Sequence, residues 1–371
     1  MRLLRTLRWP FLGLSVIVAL LAGCAAPAPS TPQDNLVDAV YYPPAPTPPR
    51  LQWLTRFSST ADFAAAQSEF SKFIAGEEAP KGLMTIYGTA IYDGKIFAMD
   101  SKAAVMATFD LKQQRMTSFA GLGGGKFKLP VNITVDTDGT KYITDTGRNQ
   151  VLRFDRDNRY LGAFGDTNQF KPVDAAISGD RLYVADIQNH QIQVLNKHDG
   201  KLLFKFGKNG SGPGELLHPT NVAIGPNGDV FVAETSNFRV QRFTPDGKSV
   251  RTYGQAGDSA GSFARPKGLA IDKKGIMYVA DAAFQNVQMF DTNTGKVLMD
   301  FGQQDKVEGL SLPAAIKIDY DNVALFKKYA DPKFNVEYIV LVTSQVAPNK
   351  VDVFGYGRMS GVEYPKDELT P

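Results

Sequence analysis

The chain has 371 residues and is 43% hydrophobic, so it can bury a large core, and its single cysteine excludes an internal disulfide. Its 41 basic and 38 acidic residues give a net charge of +3, but Arg2, Arg5 and Arg8 lie in a signal-like N-terminal segment. Without residues 1–23 the chain is formally neutral, which argues against nucleic acid as a partner.

Residues 1–23 have the pattern of a lipoprotein signal peptide. A basic start precedes a short apolar core, residues 11–20, which is shorter than a membrane span. The four residues ending at Cys24 resemble a bacterial lipobox. We therefore expect cleavage before Cys24 and lipid attachment to its thiol; an ordinary signal peptide with an incidental cysteine is the alternative. Since Ala25 rather than Asp follows Cys24, we expect the outer membrane rather than retention at the inner membrane.

Residues 24–50 are predicted to form a proline-rich tether with extended, polyproline-like geometry. A Pro-rich ligand for an adaptor is the alternative. Residues 51–79 then combine an isolated strand, residues 51–57, with a predicted helix over residues 59–76 that Ser59 or Thr60 caps. This helix is interpreted as a connector packed on the next domain, with a partner-binding helix as the alternative.

From residue 80 to residue 357 the sequence repeats one unit. Each unit has short apolar runs, several of them separated by Asn-Gly or Asp-Gly turns, a pattern typical of antiparallel hairpins. Four strands at a fixed period predict the blades of a β-propeller. The prolines that open the units are 42, 47, 47 and 47 residues apart: Pro130, Pro172, Pro219, Pro266 and Pro313. The first five blades are predicted at 80–129, 130–171, 172–218, 219–265 and 266–312.

The sixth blade has only three strands after Pro313. We expect residues 50–57 to supply the fourth, because an open ring would leave sheet edges exposed. The insertion Tyr320–Asn335 is interpreted as a solvated loop, with a contact surface as the alternative, and residues 358–371 as a C-terminal tail. The predicted fold is all-β: a closed six-bladed propeller of four-stranded antiparallel blades.

These units resemble the NHL repeat family over roughly residues 80–357. The resemblance implies a propeller that commonly serves as a protein-binding platform. Related six-bladed propellers include peptidyl-hydroxyglycine lyases, streptogramin lyases and lactonases. A looser resemblance to propeller lipoproteins of bacteria that export multihaem cytochromes implies a role beside an electron-transfer assembly. The matching segments are Tyr183–Asp186, Asn189 and Ile192–Leu195, then Phe231–Glu234, Asn237 and Val240–Phe243, then Tyr278–Asp281, Asn286 and Val287–Phe290.

A carboxylate ends the second strand of each of the first five units. We interpret these groups as structural acceptors for the backbone of the following loop, with a ring that binds a divalent cation as the alternative. They are Asp100, Asp145, Asp186, Glu234 and Asp281. The three histidines, His190, His198 and His218, occupy different positions in the repeat, so we expect them not to converge on a metal.

The loops after the second strands are the predicted partner-binding surface. Their residues are expected to stand at equivalent places and to form a continuous polar rim. Asn side chains there also stabilise turns, whereas Arg148 and Arg239 are expected to have little local role, so that replacing both by Ala leaves the melting temperature nearly unchanged. The candidates are Arg148, Asn149, Asn189, His190, Asn237, Arg239, Gln285 and Asn286.

The sequence thus predicts a lipid-anchored propeller of the bacterial cell envelope. It is expected to be monomeric, to bind a protein partner and to use no cofactor. No catalytic residue is assigned, since the chain has no Gly-x-Ser-x-Gly motif, no nucleophilic cysteine in the mature fold and no Ser–His pair that spacing reveals. The alternative is a metal-dependent lyase or lactonase-like hydrolase on the same propeller.

Overall fold

A computed structural model of the chain describes residues 39–63, 82–165, 169–303, 309–346, 348 and 350–364. These residues all belong to one compact unit, Ala39–Pro371. The predicted signal peptide, Cys24, the first part of the tether, the connector helix beyond residue 63 and the end of the tail lie outside the described residues. No helix within the described ranges has the length and apolar composition that crossing a membrane requires.

Within the described ranges, antiparallel strands make up almost all of the regular structure, and the helices are short. The α-helix described there, α1, spans Val323–Phe326, and 3-10 turns occur at Thr60–Phe63, Gly123–Gly125, Thr235–Asn237 and Lys327–Tyr329. The strands are, in chain order, β1 (Tyr41–Tyr42), β2 (Leu51–Phe57), β3 (Ile86–Tyr92), β4 (Lys95–Asp100), β5 (Val105–Asp110), β6 (Arg115–Phe119), β7 (Pro130–Val135), β8 (Lys141–Asp145), β9 (Gln150–Phe154), β10 (Tyr160–Phe164), β11 (Pro172–Ser178), β12 (Arg181–Asp186), β13 (Gln191–Asn196), β14 (Leu202–Phe206), β15 (Pro219–Ile224), β16 (Val230–Glu234), β17 (Arg239–Phe243), β18 (Ser249–Tyr253), β19 (Pro266–Ile271), β20 (Ile276–Asp281), β21 (Asn286–Asp291), β22 (Val297–Phe301), β23 (Pro313–Asp319), β24 (Phe334–Ser344) and β25 (Val351–Met359).

The strands form six sheets arranged in a ring. Five sheets hold four consecutive strands each: β3–β6, β7–β10, β11–β14, β15–β18 and β19–β22. The first strand of every blade contacts the first strands of both neighbouring blades, and β23 contacts β3, so the ring closes around a central channel. The prediction of an all-β, six-bladed propeller is confirmed.

The sixth blade joins the two ends of the described chain. Its sheet order is β1-β2-β25-β24-β23, and β2 runs antiparallel to β25, with Leu51 opposite Tyr356 and Phe57 opposite Val351. The predicted closing strand is therefore confirmed. The short strand β1 adds a fifth member, and Val40 and Arg50 are buried. Residues 39–50, predicted as the end of the tether, thus lie on this blade because they pair with it and bury side chains against it.

Hydrophobic clusters between neighbouring blades hold the ring together. Between blades three and four, for example, Ala185 and Ile192 pack against Val222 and Val232. The second strand of each of the first five blades is almost wholly buried, because it lies in the middle of a sheet covered on both faces. This position explains why these strands read as nearly continuous apolar runs rather than alternating ones.

The insertion Tyr320–Asn335 is not a solvated loop, so that interpretation was wrong. Phe326, at the end of α1, is 1% exposed and packs in a cluster with Ile96 and Phe109 of blade one and with Phe57 of β2. Phe334 is also buried. Phe326 and Tyr329 of the insertion therefore cover the seam between the sixth and first blades, which removes apolar surface from water.

Candidate functional site

A segment that we call the link joins the fourth strand of one blade to the first strand of the next. Each repeat carboxylate connects the link before its blade with the loop after the second strand of that blade. Asp145, for example, is fully buried and accepts hydrogen bonds from the backbone N–H groups of Lys128, Leu129, Gly147 and Arg148 at 2.7–3.0 Å. Its oxygens satisfy backbone donors that would otherwise be unpaired. The equivalent carboxylates are at most 1% exposed and likewise accept bonds from both segments: Asp100, Asp186, Glu234 and Asp281.

Arg239 is part of this internal network, so the expectation that it has little local role was wrong. Its Nε donates to Glu234 Oε1 at 2.7 Å, and its terminal nitrogens donate to the backbone oxygens of Ser211 at 2.5 Å, Gly212 at 3.1 Å and Glu215 at 2.9 Å. The carboxylate is fully buried and the Arg239 side chain is 11% exposed. The guanidinium thus neutralises a buried charge and holds the link before blade four.

Arg148 has a comparable role in blade two, so the expectation that it has little local role was wrong as well. Its Nη1 donates to the backbone oxygens of Gly124 and Lys126, both at 2.8 Å, and its Nε donates to Gln150. Arg148 is the third residue after its carboxylate, whereas Arg239 is the fifth after Glu234. The two arginines therefore do not stand at equivalent positions, although both bind the link that precedes their own blade.

The remaining rim candidates mostly complete local turns. Asn149, His190 and Gln285 are the fourth residues after their carboxylates and adopt positive φ, between +54° and +56°. Asn189 and Asn237 donate to their own repeat carboxylates, at 2.7 and 2.6 Å. Asn side chains tolerate and stabilise such turns. Gln285 and Asn286 line a cleft between blades four and five.

A cavity of about 480 Å³ lies at the end of the ring where the first strands begin, and we call it the channel mouth. Every blade contributes the second residue of its first strand to the lining, so the site belongs to the whole ring. Loop residues such as Thr146 and Ser236 complete the wall. None of the eight rim candidates lines this cavity. The six first-strand residues are Tyr87, Val131, Val173, Thr220, Lys267 and Ala314.

The channel mouth carries basic but no acidic lining. Arg265, Lys267 and His218 line it, and its described lining includes no Asp or Glu. Burial, and to a lesser extent the nearby charge of Arg265, lowers the pKa of Lys267 to about 8. The ammonium lies 5.2 Å from the centroid of the Tyr87 ring. A partly desolvated cation without a carboxylate partner favours the binding of an anionic group.

Two of the histidines, His190 and His218, lie together with Ser236 at the edge of the channel mouth, a contact that the different repeat positions of the histidines did not predict. The rings of His190 and His218 are 4.7 Å apart, and the backbone N–H of His218 donates to His190 Nδ1 at 3.0 Å. His218 Nδ1 lies 2.8 Å from Ser236 Oγ. Burial, followed by the His218 charge, lowers the pKa of His190. His198 lies elsewhere, on Asp180.

The contact between His218 and Ser236 follows from the pairing of the first two strands of blade four. Pro219 pairs with Glu234 across the first two strands of blade four, so the residue before the proline and the loop after the carboxylate lie side by side. His218 and Ser236 occupy those places. Spacing along the chain alone hides this proximity, because 18 residues separate the two side chains.

A buried carboxyl lies beneath the channel mouth. Asn221, which lines the cavity, donates to Asp174 Oδ2 at 3.2 Å, and the Val222 N–H donates to the same oxygen at 3.0 Å. Burial raises the pKa of Asp174, while the charge of Lys317 opposes the rise. In the parts of the chain that the structure describes, no three His, Cys, Asp or Glu side chains form a group suited to a metal ion.

Comparison with known proteins agrees with this architecture. Residues 216–243 match the NHL repeat family. The chain is 30% identical over 141 residues to peptidylglycine alpha-amidating monooxygenase of Rattus norvegicus and 34% identical over 143 residues to Protein brain tumor of Drosophila melanogaster. These matches cover 33% and 35% of this chain and only 14% and 13% of the relatives' length.

A solved gluconolactonase from Xanthomonas campestris has a similar fold. Its TM-score is 0.55 at 14% sequence identity, and the alignment covers 86% of this chain and 97% of that one. At this identity the likeness concerns the fold alone. The repeat match and the ring of six blades together show that the chain is a six-bladed β-propeller that carries an NHL repeat.

Proposed function

We propose that this propeller is a non-catalytic binding module of the bacterial cell envelope, anchored through lipidated Cys24, and that its channel mouth receives an anionic group of a protein partner. One observation carries the proposal: a cavity lined by all six blades holds Arg265, Lys267 and His218, and no carboxylate is found among its described lining residues. A place beside an electron-transfer or other envelope assembly rests on the sequence resemblance alone.

The size of the channel mouth limits what enters it. A volume of about 480 Å³ lies at the lower end of the usual range for ligand pockets, roughly 300–1,000 Å³. It accommodates one or two side chains or a chain terminus but not a whole secondary-structure element. An Asp or Glu side chain, or a terminal carboxylate, therefore fits both the volume and the charge of the site.

The test is crosslinked capture of the partner from membranes with the lipidated protein. Replacing both Arg265 and Lys267 by Ala should weaken capture about tenfold or more, because two cations are lost and one of them, Lys267, is partly buried. Lys205→Ala, which removes an exposed charge from an outer strand, is the matched control and should change little. Unchanged capture by the double variant would refute the channel mouth as the binding site.

The pH dependence of capture provides a second arm of the same test. The pKa of free Lys267 is about 8, and a bound anion raises it. Affinity should therefore be highest below pH 8 and fall as the pH rises above it, since the free ammonium then loses its proton. In Lys267→Ala this fall should largely disappear, because Arg265 stays charged over that range. An identical pH profile in both proteins would contradict a role for Lys267.

A metal-dependent lyase or lactonase-like hydrolase at the same cavity is the second candidate. The observation that favours it is the cluster of His190, His218 and Ser236 at the edge of the channel mouth. A lyase or lactonase activity that needs a divalent metal and is lost on replacing His190 or His218 by Ala would replace the non-catalytic proposal.

A further inference from the structure

In blade four, a cationic side chain fills a slot between the blade and the link that precedes it. The guanidinium of Arg239 donates to the backbone oxygens of Ser211, Gly212 and Glu215 and to the Glu234 carboxylate. Gln241 supports the slot, because it donates to Glu215 O at 2.7 Å and accepts from Gly214 N at 2.9 Å. The arrangement of backbone oxygens and carboxylate in this slot therefore accommodates a guanidinium group.

Blade five repeats the same framework. Gln288 donates to Ser262 O and accepts from Gly261 N, both at 2.9 Å, as Gln241 does one repeat earlier. The link before blade five closes with a parallel bridge between Ala256 and Phe263, which corresponds to the bridge between Asn209 and Leu216 before blade four. The backbone oxygens that would face a guanidinium are therefore those of Asp258, Ser259 and Ser262.

The side chains at this slot differ between blade four and blade five, and the differences change its charge. Asn286 stands where blade four has Arg239, and Asp258 stands where it has Ser211. Asp300, which pairs with Gln288, replaces Thr252, which pairs with Gln241. Blade five thus loses the cation and gains Asp258 and Asp300, while Ser262 replaces Glu215, whose carboxylate in blade four pairs with Lys208. The charge of the slot changes in the direction that attracts a cation from outside.

The shorter Asn286 side chain leaves a cleft of about 670 Å³, and we call it the blade-five cleft. Asp258, Phe284, Gln285 and Asp300 line it, and its described lining includes no Lys or Arg. Asn286 is 6% exposed, and among the described residues no donor reaches its Oδ1, although its Nδ2 donates to Asp300 at 3.2 Å. A buried acceptor without a donor is costly unless a ligand supplies one.

Phe284 adds an apolar surface to the blade-five cleft. It occupies the position of Asn237, whose amide in blade four donates to the link and to Glu234. Phe284 is half-buried and lines the cleft instead. A guanidinium is planar and weakly hydrated, so it stacks on aromatic rings more readily than an ammonium does.

We propose that the blade-five cleft binds the guanidinium group of an arginine side chain presented by a partner chain. The backbone oxygens and Asn286 Oδ1 accept its N–H groups, Asp258 and Asp300 balance its charge, and Phe284 contacts its plane. The Arg239 slot is the internal precedent for this arrangement. The site is separate from the channel mouth, so each proposal stands or fails on its own experiment.

The experiment measures calorimetric binding of N-acetyl-L-arginine N-methylamide to the purified propeller, with the citrulline analogue as the neutral isostere. We expect the arginine probe to bind at least about tenfold more tightly than citrulline, since charge-assisted hydrogen bonds are roughly twice as strong as neutral ones. Free L-arginine distinguishes the two sources of a guanidinium: tighter binding of the amide-blocked probe indicates arginine within a chain.

Two variants and one control complete the design. Asn286→Arg should fill the cleft as Arg239 fills its own slot and abolish binding. Asp300→Asn, an exposed change, should weaken binding about fivefold while the protein stays folded. Asp157→Asn, on an exposed side chain of blade two, is the matched control and should bind normally. Equal binding of arginine and citrulline, tighter binding of free arginine, or unaltered affinity in Asp300→Asn would overturn the proposal.

Discussion

Because β2 closes the ring, we expect Phe57→Ala to lower the free energy of unfolding by an amount that the structure allows us to estimate. Phe57 is 1% exposed and its ring centroid lies 5.6 Å from that of Phe63 and 5.4 Å from that of Phe109. Phe109 belongs to blade one, so the contact spans the seam between the last and first blades. Removing a buried Phe costs about 3–5 kcal/mol, which includes the lost ring contacts and the cavity left behind.

A second substitution on the same strand separates the two sides of the closing blade. Leu51 is fully buried and packs in the cluster between blades five and six, whereas Phe57 packs in the cluster between blades six and one. The two side chains are about 20 Å apart along the strand. Leu51→Ala should cost about 2–5 kcal/mol, and the double variant should lose the sum of the two, because residues this far apart are energetically independent.

The assay is equilibrium unfolding in denaturant, with thermal unfolding beside it. For a domain of this size about 2 °C corresponds to 1 kcal/mol, so Phe57→Ala should lower the melting temperature by about 6–10 °C. Thr55→Ala, at a half-buried position of the same strand, is the control and should cost less than about 1 kcal/mol. If Phe57→Ala is no more destabilising than this control, β2 does not hold the ring closed.

Two further changes have definite expected outcomes. Arg239→Ala should lower the free energy of unfolding by about 3 kcal/mol, because it leaves the buried Glu234 carboxylate without its cation; Arg159→Ala, at a side chain that is 77% exposed, should change it by less than about 0.5 kcal/mol in the same unfolding assay. An Arg239→Ala protein as stable as the wild type would show that the ion pair contributes nothing. Cys24→Ala should release the protein from the membrane fraction or stall its processing, and a variant that still carries lipid would contradict the predicted anchor.

The repeat made most of the fold readable from the sequence. The spacing of the entry prolines and the missing strand after Pro313 suffice to predict six blades and their closure by residues 50–57. Local chemistry was also readable, because a carboxylate at the end of a second strand has backbone donors within reach. The place of residues 39–50 on the closing blade was not readable, since proline-rich composition predicts an extended segment in either setting.

The site was harder to predict because its side chains come from separate segments. The roles of Arg148 and Arg239 depend on the path of the link before each blade, which the spacing of motifs does not reveal. The convergence of His218 and Ser236 depends on strand register. In contrast, the channel mouth was accessible in principle. The second residue of each first strand lines it, in five blades this residue follows an entry proline, and Lys267 is the one cation among the six.

The pairing of β2 with β25 links segments about 300 residues apart in the chain, since Leu51 lies opposite Tyr356. Such distant pairing slows folding, because the ends must meet before the final sheet can form. A chain cut short before Val351 would keep five blades but leave β2 and β24 with unpaired backbone groups, which are templates for aggregation and targets for proteases. Only a polypeptide synthesised through β25 can therefore pair the backbone groups of β2 and β24 and escape aggregation and proteolysis at these edges.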